Sequence, residues 1–225
     1  FRYAPGEKKL ETNRRKIRFK GNKPIYEFNI SKAASGIWGS KYNYTKLHGS
    51  ISQKLRIPNF GIVSYNAYGG KIYGDSLPFM LLELHPGNEV FIYNKNGFNL
   101  MNRFEYYSDT YAGFQMEHNI EKKLINLIPV LRKTKMRQFW NVKGVWGNMN
   151  NSNRIFNRTE FGPYQLRSLR SHTYLEFGTG FDNIFKFFRV DFVWRSAPPY
   201  PANYKATRIQ PVQNFGVFGS LRIQF

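Results

Sequence analysis

The sequence predicts an all-β protein, an antiparallel up-and-down transmembrane β-barrel. Three observations predict it: period-two alternation along most of the chain, an 18% aromatic content beside a mean hydropathy of -0.53, and no apolar run long enough for a membrane helix. Apolar runs such as Phe79-Met80-Leu81-Leu82 fall far short of the ~20 residues a helical span needs. Helical membrane proteins are therefore excluded. In a barrel only alternate residues face lipid, so mean hydropathy stays low while rings gather at the two interfaces.

The elements follow in order. Ile17 and Phe19 lead through Gly21-Asn22 into a strand with Tyr26, Phe28 and Ile30 on one face. Leu47, Ile51, Leu55 and Ile57 then oppose Lys46, His48, Ser50, Lys54 and Arg56, and Pro58-Asn59 turns the chain into Val63, Tyr65 and Ala67. Phe98, Leu100, Phe104 and Tyr106 oppose Arg103 and Glu105, with a turn expected at Ser108-Asp109. Ala112, Phe114, Met116 and Ile120 oppose Gln115, Glu117 and Asn119; Trp140, Val142, Gly144 and Trp146 oppose Arg137, Asn141 and Lys143. Leu175 and Phe177 oppose Glu176 and Gly178, and Asp182-Asn183 reads as a tight turn. Phe188, Val190, Phe192 and Trp194 then oppose Arg189, Asp191 and Arg195, and the last strand alternates from Phe215 to Phe225, with Arg222 on its polar face.

This gives roughly ten strands, many near the length that crosses a bilayer when tilted. No linker or second domain is visible, so residues 1–225 read as one barrel domain. With the last residue at the periplasmic side, 182–184 is a short periplasmic turn and 149–171 and 196–213 are extracellular loops. By the same parity the links 74–97 and 121–135 fall on the periplasmic side and are unusually long. A soluble sandwich also alternates, but with shorter strands. Tyr42, Tyr44, Tyr106, Tyr107, Tyr111, Trp140, Trp146, Trp194 and Phe225 cluster near strand ends, as interfacial girdles do.

The net charge of +20 first suggests nucleic acid or anionic lipid. The rings alternate with the basic positions and so lie on the other wall, which argues against a stacking platform for nucleic acid. Lys16, Arg18, Lys20, Lys46, Lys54, Arg56, Lys143 and Arg222 are expected to line the interior, and Arg154, Arg158, Arg167, Arg170 and Arg208 to sit in outer loops. Hydration of the lumen and attraction to lipid A phosphates account for this charge; a positive interior favouring anionic solutes or an acidic plug is the sharper account. The absence of cysteine excludes disulfides, thiolate metal sites and thiol nucleophiles. The start at Phe1-Arg2-Tyr3, without Met or a leader, points to a processed product or a piece of something longer.

The final Ser220-Leu221-Arg222-Ile223-Gln224-Phe225 resembles the C-terminal strand of outer-membrane barrels, in which an alternating strand ending in Phe is read by the barrel-assembly machinery. Leu221, Ile223 and Phe225 would carry that signal. The run 77–89 (LPFMLLELHPGNE), then 98–106 (FNLMNRFEY), Ser108-Asp109-Thr110-Tyr111, Glu117-His118, 128–132 (IPVLR) and 183–191 (NIFKFFRVD) together resemble the C-terminal barrel region of a Bacteroidota outer-membrane family of unknown function. Its members carry an N-terminal carboxypeptidase-regulatory-like domain, and it is remotely similar to the surface-antigen superfamily of barrel-assembly proteins. The resemblance implies that this chain is the C-terminal part of a larger barrel, and it implies no peptidase activity.

Candidate chemistry is sparse. His48 and Ser50 share a face and invite comparison with a barrel-borne lipase, but they share it with Lys46, Lys54 and Arg56 rather than with lipid, and no acid partner is identifiable. Glu117 and His118 point to opposite faces, and no histidine and carboxylate have metal spacing. His85-Pro86-Gly87-Asn88 lacks the pattern of a phosphate loop and reads as a turn.

The expectation is a non-enzymatic outer-membrane barrel of envelope biogenesis or transport, without cofactor or metal, either a subunit of a larger assembly or an anchor for a periplasmic domain. The alternatives are a passive pore for anionic solutes and a barrel-borne lipid hydrolase. Its expected partners are outer-membrane lipid and lipopolysaccharide, the barrel-assembly machinery, and other outer-membrane or periplasmic subunits, not nucleic acid. The charged residues expected to face the lumen are Lys46, Lys54, Arg56, Arg103, Glu105, Glu117, Lys143, Glu176, Arg189, Asp191 and Arg222.

Overall fold

The computed structural model describes residues 1–12, 15–19, 21–37, 39–157, 160–161, 164–165, 167–197 and 214–221. Its main element is a nine-stranded antiparallel sheet whose spatial order follows chain order. The strands are β1 Arg2–Tyr3, β2 Ile25–Ala33, β3 Tyr44–Ile57, β4 Gly61–Tyr73, β5 Thr110–Glu121, β6 Arg137–Asn148, β7 Thr173–Ile184, β8 Phe188–Ala197 and β9 Phe215–Leu221. β3 to β7 run for 12 to 14 residues, about twice the strand of an ordinary soluble sheet.

The meander is the expected one, but the sheet is open. β1 and β9 are its edges among the described residues, and they do not pair with each other. The N-terminal segment also differs from expectation: Lys8–Thr12 and Arg15–Phe19 form a separate hairpin, so Ile17 and Phe19 do not lead straight into the sheet. The side chains of Lys16, Arg18 and Lys20 lie outside the described residues, as do Arg158, Arg208, Arg222, Ile223 and Phe225.

Local chemistry sets the turns. Between β3 and β4, Asn59 and Gly61 take left-handed φ values of 59° and 104°, and a Cβ on Gly61 would lie 2.2 Å from the Asn119 carbonyl oxygen. Between β7 and β8 the turn is 185–187 rather than Asp182-Asn183, because β7 pairs through Ile184. Asn183, Phe185 and Lys186 carry the positive φ values there, and the Asp182 carboxylate accepts the Asn183 N–H.

The main correction concerns residues 98–106, which form no strand of the nine-stranded sheet. The whole segment 74–109 is one excursion between β4 and β5 that folds back on one face of the sheet. It carries a 3-10 turn at Phe79–Leu81 and short strands at Glu83–Leu84 and Tyr106–Ser108. Tyr106–Ser108 pairs with Glu83–Leu84 on one side and runs parallel to Arg167–Ser168 on the other, so Ser108-Asp109 is no hairpin turn. Helix α1, Asn151–Phe156, capped by the Asn150 side chain on the Ser152 N–H, packs beside it.

Removing one strand reverses the parity of the links. Segment 74–109 now leaves the sheet at the same end as 34–43 and 149–172, while 4–24, 58–60, 122–136 and 185–187 share the opposite end. Long links occur at both ends: 74–109 and 149–172 at the first, and 4–24 and 122–136 at the short-turn end, where 58–60 and 185–187 also lie.

The two faces of the sheet differ sharply. On β6, β7 and β8 the burial alternates strictly, and the buried set includes Asn141, Lys143, Glu176, Asp182, Arg189, Asp191 and Arg195. Excursion 74–109 covers this face. The other face is open and apolar: Phe28, Ile30, Ile51, Phe114, Phe177, Phe188, Trp194, Val217 and Leu221 are all exposed. The dry clusters lie between sheet and excursion. In one, Phe98, Met101 and Tyr106 pack on Val145, Leu169 and Tyr174; in another, Leu77, Leu82 and Tyr107 pack on Ile72 and Met149.

Candidate functional site

The candidate site is the charged wall of β5 to β8 and the segment it grips. Period-two alternation puts Glu117, Lys143, Glu176, Arg189, Asp191 and Arg195 on one face, and the register brings them side by side: Lys143 opposes Glu176, and Glu176 opposes Arg195.

Each charge is engaged. Arg189 holds Asp191 through two hydrogen bonds of 2.7 and 2.8 Å and Glu117 through one of 2.8 Å, with its guanidinium 3.7 Å from the Phe139 ring centroid. Arg189 is only 2% exposed and Asp191 is fully covered. Arg195 reaches across to Glu105 at 3.1 Å and donates to the Tyr106 hydroxyl at 2.9 Å, joining β8 to the excursion. The Glu176 carboxylate accepts the backbone N–H groups of Asn99 and Leu100 at 2.9 and 2.6 Å, and the Tyr174 hydroxyl at 2.5 Å. Lys143 donates to the carbonyls of Asn94 and Gly97 at 2.7 and 2.6 Å and lies over the Tyr93 ring. A buried charge survives only when it is partnered in this way.

The segment has further anchors. Lys46 pairs with Glu83 at 2.6 Å. Asp109 accepts the Asn150 N–H and the Asn153 side chain, while Asn153 and Asn157 hold both the N–H and the carbonyl of Leu77. His85 is buried against the Ser108 hydroxyl at 3.0 Å, and burial lowers its pKa to about 4, against a smaller opposing pull from Glu83.

The structure therefore scatters some predicted residues and joins others. Lys46, Glu117, Lys143, Glu176, Arg189 and Asp191 lie on the covered face. Lys143, Glu176, Arg189 and Asp191 are buried and held by protein groups, because the excursion covers this part of the wall, while Lys46 pairs with Glu83 and keeps 30% of its side chain exposed. Lys54 is on the same face but exposed, and Arg56 pairs with Glu121 at 3.2 Å near the short-turn end. Glu105 belongs to the excursion, not to a sheet strand. Arg103 also belongs to it, is exposed, and lies 5.1 Å from the Phe104 ring centroid; both corrections follow from the loss of the 98–106 strand. Leu221 is on the open face of β9. His48 hydrogen-bonds the Tyr111 hydroxyl at 2.9 Å, on the covered face. Glu117 and His118 do fall on opposite faces: His118 sits under Phe60 on the open side, its ring 4.3 Å away. Sequence reasoning did not find Glu83, Asn99, Asp109 or Asn153, whose partners lie in distant parts of the chain.

The buried network is close to electroneutral: three cations, Lys143, Arg189 and Arg195, face four carboxylates, Glu105, Glu117, Glu176 and Asp191. The large positive excess of the chain lies elsewhere. Among the described residues no group of three or more His, Asp or Glu side chains could hold a metal ion.

No curated protein and no solved structure matches the chain. Residues 1–153 match the sequence pattern described as the C-terminal domain of a family of unknown function (DUF5686), a match that overlaps the motifs between residues 77 and 132 and leaves 183–191 beyond it. With more than half its length matched, the chain belongs to that family.

Proposed function

We propose that the chain forms a non-enzymatic β-barrel of the bacterial outer membrane that serves envelope biogenesis or transport, as a subunit of a larger assembly or an anchor for a periplasmic domain. One observation carries this reading: the polarity of the sheet is the reverse of a water-soluble one. Phe177, Trp194 and Phe188 are 41%, 40% and 44% exposed on one face, while Arg189 and Glu176 on the other are 2% and 1% exposed. A continuous apolar face of this kind marks contact with lipid or a large partner. The lengths of β3 to β7 agree with a barrel.

Further support comes from the short-turn end. Phe60, Leu124, Leu127, Ile128, Val130, Phe185 and Phe187 are exposed there beside Lys122, Lys123, Arg132, Lys133, Lys135 and Lys186, a combination suited to a headgroup interface. On this reading the open face meets outer-membrane lipid, the outer leaflet supplies lipopolysaccharide, and insertion passes through the barrel-assembly machinery, as in the Bacteroidota family that the motifs resemble. A passive pore is disfavoured because excursion 74–109 packs onto the charged wall. A lipid hydrolase is disfavoured because His48 is turned to Tyr111 on the wall away from lipid.

The test is cell fractionation of the tagged protein followed by electrophoresis with and without boiling. The expected result is retention in the outer-membrane fraction after carbonate washing and a faster-migrating unboiled form. Release by carbonate, with one mobility in both lanes, would reject the reading.

A further inference from the structure

We infer that the covered face of β3 to β6 holds a binding site for a small, hydroxylated solute bearing an oxyanion, such as a hexose phosphate or a hexuronate. The inference concerns a cavity of about 350 Å³ beside the buried charge network, a size suited to one hexose derivative.

Register builds its floor. One cross-strand row runs Asn141, Glu117, Ser64, Lys54, and the next runs Lys143, Gln115, Asn66, Ser52. The side chains of both rows point to the same face. Tyr93, Lys95 and Asn96 of the excursion also line the cavity, and Lys23 lines its rim. The lining thus sets the lysines Lys23, Lys54 and Lys143 against one carboxylate, Glu117. That carboxylate is already bound to Arg189 at 2.8 Å. The cavity is cationic although the network beside it is balanced.

One buried donor has no partner, and a buried cation stands two residues along the same strand face. The Asn141 side chain lines the cavity at 1% exposure, and its Nδ2 has no hydrogen-bond partner. A buried donor left without an acceptor is destabilising. The Lys143 ammonium is 3% exposed and uses two of its three hydrogens, both on neutral carbonyls. A ligand oxyanion would accept from both groups. Ser52, Ser64, Asn66 and Gln115 supply the mixed donors and acceptors that sugar hydroxyls require. The site does not rest on the membrane proposal, since the cavity is set by the strand register whatever covers the open face.

The test is titration calorimetry on the folded full chain in detergent at physiological ionic strength, with glucose 6-phosphate, glucuronate and glucose as ligands. Glucose 6-phosphate or glucuronate should bind at least tenfold more tightly than glucose, and the stronger of the two identifies a phosphate or a carboxylate site. Lys54→Gln, an exposed change, should weaken that binding about tenfold, the effect of one charge-assisted hydrogen bond. Asn141→Asp, which adds a negative charge at nearly constant volume, should abolish it, with strand content checked by circular dichroism. Lys122→Gln, in the 122–136 link and outside the cavity lining, should leave it unchanged. Equal binding of glucose, indifference to Lys54→Gln, or an equal loss with Lys122→Gln would overturn the site and leave the outer-membrane reading intact.

Discussion

At the scale of single residues, the tightest constraint is Glu176. Its carboxylate satisfies two backbone N–H groups and one hydroxyl inside the fold. Glu176→Ala leaves all three donors without that acceptor, and each stranded group costs about 1–3 kcal/mol. The expected outcome is a loss of at least ~3 kcal/mol in urea unfolding of the detergent-folded protein, with faster hydrogen exchange at the Asn99 and Leu100 amides. His85 sets a pH dependence. Its folded pKa lies near 4, below the ordinary 6.5, so the unfolded chain takes up a proton first as pH falls. Its contribution is fully present above about 6.5, declines as pH drops toward 4, and is lost below. His85→Gln should flatten the part of the stability profile between those limits, as measured by urea midpoints at stepped pH.

At the scale of elements, the faces of β6, β7 and β8 were legible because alternation alone separates Arg189, Asp191 and Glu176 from Phe188, Val190 and Phe177. The error at 98–106 has a physical cause. Phe98 and Leu100 alternate like strand residues, yet they serve two different clusters, Phe98 against Val145 and Tyr174, Leu100 against Val193 and Phe218. The N–H groups of Asn99 and Leu100 are taken by Glu176 and cannot join a ladder, and Phe104 at φ 58° breaks the extended path. No local pattern encodes such long-range claims on backbone groups. The link between Arg195 and Glu105 was hidden for the same reason, since sequence shows which wall a charge takes and not what comes to cover it. Packing also limits β7: a Cβ on Gly180 would lie 2.0 Å from the Val190 carbonyl oxygen and 2.8 Å from the Phe139 ring. Gly180→Val should therefore cost about 1–3 kcal/mol or block folding, read as the fraction with shifted gel mobility.

At the scale of the whole molecule, the open face decides the solvent. Val142 lies in mid-strand on that face, opposite Met116 on one neighbour and Phe177 on the other. In a bilayer Val142→Arg should cost about 2–4 kcal/mol and reduce the folded fraction in lipid vesicles, because the guanidinium would sit near the hydrocarbon midplane. In a water-soluble protein the same change at this half-buried surface position would cost less, because the guanidinium could reach bulk water. The free side of β9 bears on how the sheet is completed. There the Gly219 N–H donates to the Phe91 carbonyl, and the Gly219 carbonyl accepts the Tyr93 N–H, in a parallel contact centred on Ile92. A single amide cannot serve two ladders. Any strand that zips onto that seam, from this molecule or another, must first evict residues 91–93, so completion of the wall and docking of this tongue compete for the same two groups.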